Sequence, residues 1–202
     1  MVAAGFEHDT FLIEQLIRPV VNLYQVRVAG PGGEPQGQPI VHVRQKRLAL
    51  REDIRFFADE EEQEELFRVK ARTMLDLHGR HDVTQPDGTR IGIIEKVFGR
   101  SLLRSTWRVR DSDEAEVAVV QERSQAVAII RRLVDFVPWV GEFIPIPYHF
   151  TFAGDGGELG ELRRKLSVRD RYVLDLSADA ERRLDRRVAI ALAVTLDALQ
   201  GR

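Results

Sequence analysis

The densest chemistry in this chain is basic. Arg182-Arg183-Leu184-Asp185-Arg186-Arg187 places four guanidinium groups in six residues, just ahead of an apolar run. A guanidinium is planar, permanently charged and shaped to hold the oxygens of a phosphate or carboxylate. A helix starting at this run would add its free amides to the attraction. Arg163-Arg164-Lys165, Arg131-Arg132 and Lys46-Arg47 are shorter clusters of the same kind. Lys46, Arg47, Arg131, Arg132, Arg163, Arg164, Lys165, Arg182 and Arg183 are therefore the candidate ligands of an anionic head group. The plainer expectation for the longest cluster is a solvated turn at the mouth of the fold.

Other reactive residues are thinner. Asp76-Leu77-His78-Gly79-Arg80-His81-Asp82 holds two His and two Asp, and period 2 puts Asp76 and His78 on one strand face. That is half a metal site at most, in a stretch where a polar turn is expected, so no metal is assigned. Asp170, Asp175 and Asp179 lack the dense acidic spacing and closing Glu of a calcium loop. Cysteine is absent, and so are G-x-S-x-G, Walker and H-E-x-x-H patterns. Gly154, Gly156 and Gly157 do not fit G-x-G-x-x-G, because position 159 is Leu. The expectation is a non-catalytic protein with no cofactor. Its net charge of −2 gives no argument for nucleic acid. Met1–Thr10 lacks the basic and apolar parts of a signal peptide, which makes a cytoplasmic location the expectation.

The elements that must position these residues repeat. His81–Thr84 and Arg90–Lys96 flank Gln85-Pro86-Asp87-Gly88, a turn between two period-2 runs. Four further pairs follow the same plan. They are Tyr24–Ala29 with Ile40–Gln45, Arg55–Ala58 with Leu66–Arg72, Ser105–Arg110 with Glu116–Glu122, and His149–Ala153 with Glu161–Lys165. Val28, Phe57, Val83 and Val109 recur 26–29 residues apart. Phe152 comes later, so an insertion lies between, at about 124–146. Phe11–Gln15 and Arg171–Leu176 bring the strands to about twelve.

Val188–Leu199 is apolar almost all round at helical spacing. Such a helix must be buried on every side, and it is too short to cross a bilayer. A twelve-strand barrel leaves room for a helix about 10–12 Å across. Ser177 is the expected cap, with Asp179 in the first turn. Each large apolar side chain on the helix contributes about 1.5–3 kcal/mol, so losing the helix should unfold the wall. The fold class is thus mainly β (α+β): an antiparallel closed β-barrel of about twelve strands around a central apolar C-terminal α-helix. Residues 1–202 form one domain.

The insertion carries Ala128-Ile129-Ile130-Arg131-Arg132-Leu133-Val134-Asp135-Phe136-Val137-Pro138-Trp139. Its first half reads as a helix packed across an open barrel end. The alternative is an apolar patch for a partner or membrane surface, with Ile130, Phe136 and Trp139 as the interface.

Order and composition together resemble a known family. The carrying residues are Phe11–Gln15, Phe67–Arg72, His81–Thr84 with Asp87-Gly88 and Gly92, Ser101–Trp107, and Asp170–Leu176 running into Asp185–Ala193. They are similar to the tubby C-terminal-like superfamily, in its LURP-one-related and phospholipid scramblase-like branch, as a bacterial member. The resemblance implies a tubby-like barrel, and implies phosphoinositide binding on the tubby side or calcium-linked lipid movement on the scramblase side. The resulting expectation is a binding or scaffold protein for anionic phospholipid or a protein partner, peripheral at the inner membrane face rather than transmembrane. A scramblase-like lipid-handling protein is the alternative, and an enzyme using His78, His81 and Asp82 at a barrel mouth is a third.

Overall fold

Alternation decides which face of each strand is dry. In Val21–Ala29, Asn22, Tyr24, Val26 and Val28 are buried, while Val21, Leu23, Gln25 and Arg27 between them stay half-buried. The computed structural model describes residues 5–16, 21–30, 32–46, 53–71, 79–97, 105–123, 149–165 and 170–198. Twelve strands occupy them. They are β1 (Thr10–Leu16), β2 (Val21–Ala29), β3 (Pro35–Lys46), β4 (Asp53–Phe57), β5 (Glu65–Ala71), β6 (Arg80–Thr84), β7 (Arg90–Lys96), β8 (Thr106–Arg110), β9 (Glu116–Glu122), β10 (His149–Gly154), β11 (Gly157–Lys165) and β12 (Arg171–Asp175).

Each strand pairs antiparallel with its sequence neighbours, and β1 closes the ring against β12. The closing register runs from Thr10↔Asp175 to Glu14↔Arg171. All five expected hairpins form. β3 begins at Pro35, five residues ahead of the expected Ile40, which shortens the Gly/Pro loop to a turn held by Gly33 N–H on Gly30 O (2.8 Å).

The 26–29-residue repeat has a geometric meaning. Register shifts fall at Val26/Val28, Phe56/Phe57, Val83/Thr84, Val109/Arg110 and Phe152/Ala153. Each lies beside one of the recurring residues, near the tip of its hairpin. A bulge adds local right-handed twist, and repeated bulges let a sheet curl far enough to close.

The wall surrounds helix α1 (Arg186–Ala198), whose residues Val188 to Leu196 are all buried. They pack on Phe11, Ile13, Val26, Val41, Phe56, Phe67, Val83, Val109, Phe150 and Leu174 from around the ring. Gly92 on β7 makes room for the helix: a Cβ there would stand 2.7 Å from Val188 Cγ2 and 3.0 Å from Arg110 O. Outward positions carry Arg55, Arg68, Lys70, Arg108, Glu161 and Arg163, so this barrel is apolar inside and charged outside. A membrane-spanning barrel has the reverse pattern. No helix among the described residues is long and apolar enough to cross a membrane.

The start of the helix differs from the expectation. Asp185, and not Ser177, is the cap: its Oδ1 accepts the Arg187 amide at 2.8 Å, and its carbonyl accepts the Ala189 amide at 3.0 Å. Asp179 lies outside the first turn. Its two oxygens accept the Arg183 and Leu184 amides, each at 3.0 Å, and close a separate turn ahead of the helix. Two short acidic caps in series outcompete a single serine.

Candidate functional site

Strand direction divides the candidate residues between two ends. α1 enters the barrel at the mouth where β12 ends, and runs toward the end where β11 finishes and β12 begins. Arg182 and Arg183 stand at the entry mouth. Lys46, Arg163, Arg164 and Lys165 stand at the far end, with β3 and β11 four places apart around the ring. The structure therefore does not assemble these clusters into one pocket. Arg47, Arg131, Arg132, Ile130, Phe136 and Trp139 lie outside the described residues, as do Asp76, His78 and the insertion at 124–146.

Three of the four entry-mouth arginines, Arg182, Arg186 and Arg187, serve the fold. Arg186 is buried and holds Asp179 through Nη1 at 2.6 Å and Asp9 through Nη2 at 2.6 Å. Arg182 donates to Asp9 Oδ1 at 2.6 Å and to the carbonyls of Phe6 and Glu7. Arg187 is chelated by its neighbour Asp185, which holds its guanidinium above the usual arginine range. Arg183 reaches Glu181 at 3.4 Å. An external phosphate at this mouth would have to compete with four carboxylates already in place. Burial opposes the charge of Asp179, but the Leu184 and Arg183 amides and the Arg186 guanidinium outweigh it and keep its carboxyl below the usual range.

On β11, inward and outward positions alternate. Arg164 faces inward and pairs with Asp170. Lys165 bonds Glu34 Oε1 at 2.6 Å, on the loop between β2 and β3. Arg163 faces out and forms a cluster that sequence reasoning missed. Its Nε lies 2.7 Å from Glu161 Oε1. His149 Nε2 lies 2.6 Å from Glu161 Oε2, and Arg123 Nη1 lies 3.9 Å from the same oxygen. One carboxylate thus serves three basic groups on three adjacent strand ends. The signal was present in the sequence: Arg123 and His149 bracket the insertion, and the Arg123 amide bonds the His149 carbonyl at 2.9 Å across its base.

The lumen is polar at the same end. The Tyr24 hydroxyl donates to Asp197 Oδ2 at 2.8 Å and the Tyr172 hydroxyl donates to Oδ1, so two strands clasp the last turn of α1. Burial pushes the Asp197 carboxyl above the usual range, against these bonds and the attraction of Arg164. Asn22 bonds Gln45 beside it at 2.8 Å. His81 is buried with Nδ1 2.9 Å from Gly79 O, while Asp82 faces the other side of β6. These two cannot share a ligand. Of the three acids before the helix, Asp170 is held by Arg164, Asp175 caps the Ser177 amide and Asp179 is held by Arg186. Among the described residues no three His or acidic side chains converge as metal ligands.

A groove on the opposite wall is mixed in charge, with Arg44 paired to Glu62 in its lining. Leu16, Leu23, His42, Phe57, Glu60 and Glu62 also line it.

A family model described as LURP-one-related matches residues 40–197, more than three quarters of the chain. No curated protein matches it.

Proposed function

The chain belongs to the LURP-one-related family, and from that premise we propose that it is a non-catalytic binding protein that recognises anionic phospholipid head groups at the inner surface of a membrane. The observation that carries the reading is the occupied lumen. Ten residues of α1 are buried within the closed wall, so the interior is packed rather than open to a substrate. A ligand then has the outer wall and the barrel ends to bind, and their chemistry is ionic. Arginine-rich surfaces gain about 1 kcal/mol per base near an anionic leaflet.

The same packing weighs against a scramblase-like activity. Moving a head group needs a polar path through or along the barrel, and the helix fills the path through it. The acids before the helix are engaged by arginines and amides, which leaves them poorly placed for calcium. A scaffold that docks a protein at the membrane surface would use the same outer wall.

Flotation with phosphatidylcholine vesicles, with and without phosphatidylserine, tests the reading. The expected result is binding that requires phosphatidylserine and weakens as salt rises. Equal binding to both vesicles, or to neither, rejects it. Transfer of labelled lipid between leaflets on adding the protein and calcium would instead support the scramblase-like alternative.

A further inference from the structure

We propose that the outer wall formed by β9, β10 and β11 at the far end is the docking surface, with Arg123, His149 and Arg163 contacting the phosphates of an anionic lipid leaflet. This rests on the lipid reading above and adds the surface, its residues and the orientation of the barrel.

Glu161 is the shared partner of Arg123, His149 and Arg163. One carboxylate neutralises one guanidinium, so Arg123 and Arg163 leave a surplus positive charge whatever the state of His149. Both are accessible: their side chains are 66% and 45% exposed. Exposed ion pairs contribute little, because water screens them and the long side chains lose freedom in making them. Handing either arginine from Glu161 to a lipid phosphate is therefore nearly free, and the new bidentate contact is stronger. The entry-mouth Arg186 differs on both counts, being 2% exposed and fully engaged.

The described segments at the entry mouth are 5–9, 30, 32–34, 58–64, 85–89, 111–115, 155–156 and 176–187. They hold 16 acidic residues against 4 arginines, while the other described residues hold 12 acidic and 16 basic. Among the described residues the negative charge is thus concentrated at the entry mouth, which an anionic surface repels.

The acidic connection 58–64 follows β4 and folds over β3, with Glu62 2.7 Å from Arg44. β4 and β10 are six places apart in the ring of twelve. The wall bearing the Glu161 cluster thus faces directly away from the most acidic segment. Axial and lateral polarity select the same region.

Flotation of the full chain with the same two vesicle types tests this. Arg123→Glu with Arg163→Glu should reduce binding to phosphatidylserine vesicles, about fivefold for each unit of charge removed. Glu161→Gln should raise binding about fivefold, a gain that misfolding cannot produce. Glu61→Lys, at the acidic tip, adds two positive charges on the opposite wall and should change binding by less than Glu161→Gln does. Unfolding midpoints of all variants confirm that they are folded. Parent protein that binds, with these wall variants unaffected, overturns the surface and leaves the lipid reading standing. Glu61→Lys raising binding more than Glu161→Gln shows a net-charge effect and also overturns it. Parent protein that binds no phosphatidylserine vesicle overturns both. Capture of an acidic protein through Arg123 and Arg163 without vesicle binding would assign the wall to a protein partner instead.

Discussion

Arg186, the first residue of α1, grips Asp179 with Nη1 2.6 Å from Oδ2, and water reaches neither side chain to more than 2% of its surface. This pair pins the helix entry to the turn before it. Removing one partner of a buried pair leaves an uncompensated charge. Asp179→Ala should cost about 3 kcal/mol, the lower end of the usual range, because Asp9 still holds Arg186 at 2.6 Å. Denaturant unfolding of the variant measures the loss directly. An unchanged midpoint would show that the grip is incidental.

The same carboxyl sets an acid limit. Its pKa is lowered in the folded state, so its stabilisation is present above the unfolded value of about 4 and is lost as pH falls through the folded value. The Asp179→Ala variant should therefore converge on the parent in stability at low pH. Midpoints measured at neutral and acid pH test this; a constant difference contradicts it.

Asp197 has the opposite sign. Burial raises its pKa, so the contribution tied to its protonated form is full below about 4 and is lost as pH rises through the folded value. Asparagine mimics the protonated carboxyl and does not titrate, so parent and Asp197→Asn should be most alike at low pH, and the parent should lose stability relative to the variant as pH rises. Tyr24→Phe or Tyr172→Phe should cost about 1–3 kcal/mol each by leaving a carboxylate oxygen unbonded. A parallel pair of pH profiles for parent and Asp197→Asn would contradict the assignment.

Gly92 and Val188 form a fitted contact between wall and plug. Gly92→Ala should cost about 1–3 kcal/mol through overpacking against Val188 and the Arg110 carbonyl. Val188→Ala should cost less in the Gly92→Ala background than in the parent. A double-mutant cycle measures this coupling. Additive losses would mean that the helix does not meet β7 as described.

How much of this was legible in the sequence depended on range. The strands were readable because alternation is local, and β6 and β7 announced themselves through Pro86-Asp87-Gly88. The plug was readable because no polar face survives between Val188 and Leu196. The partners of the charged residues were not. Arg182 meets Asp9 and Lys165 meets Glu34, pairs separated by 173 and 131 residues, and no local pattern encodes them. The cap was misassigned for a nearer reason: Ser177 and Asp185 both suit the role, and the buried Arg186–Asp179 pair decides where the helix can begin. The Glu161 cluster was missed because Arg123 stands alone in the sequence and is brought to Arg163 only by the rungs on either side of β10.

Backbone hydrogen exchange of the full chain, with and without phosphatidylserine vesicles, tests most directly whether the helix keeps the lumen filled while ligand meets the outer wall. Amides of Val188 to Leu196 should be among the slowest to exchange and should not respond to vesicles, while protection appears along β9 to β11. Fast exchange in the helix, or a vesicle-dependent change centred there with β9 to β11 unaffected, would contradict the account.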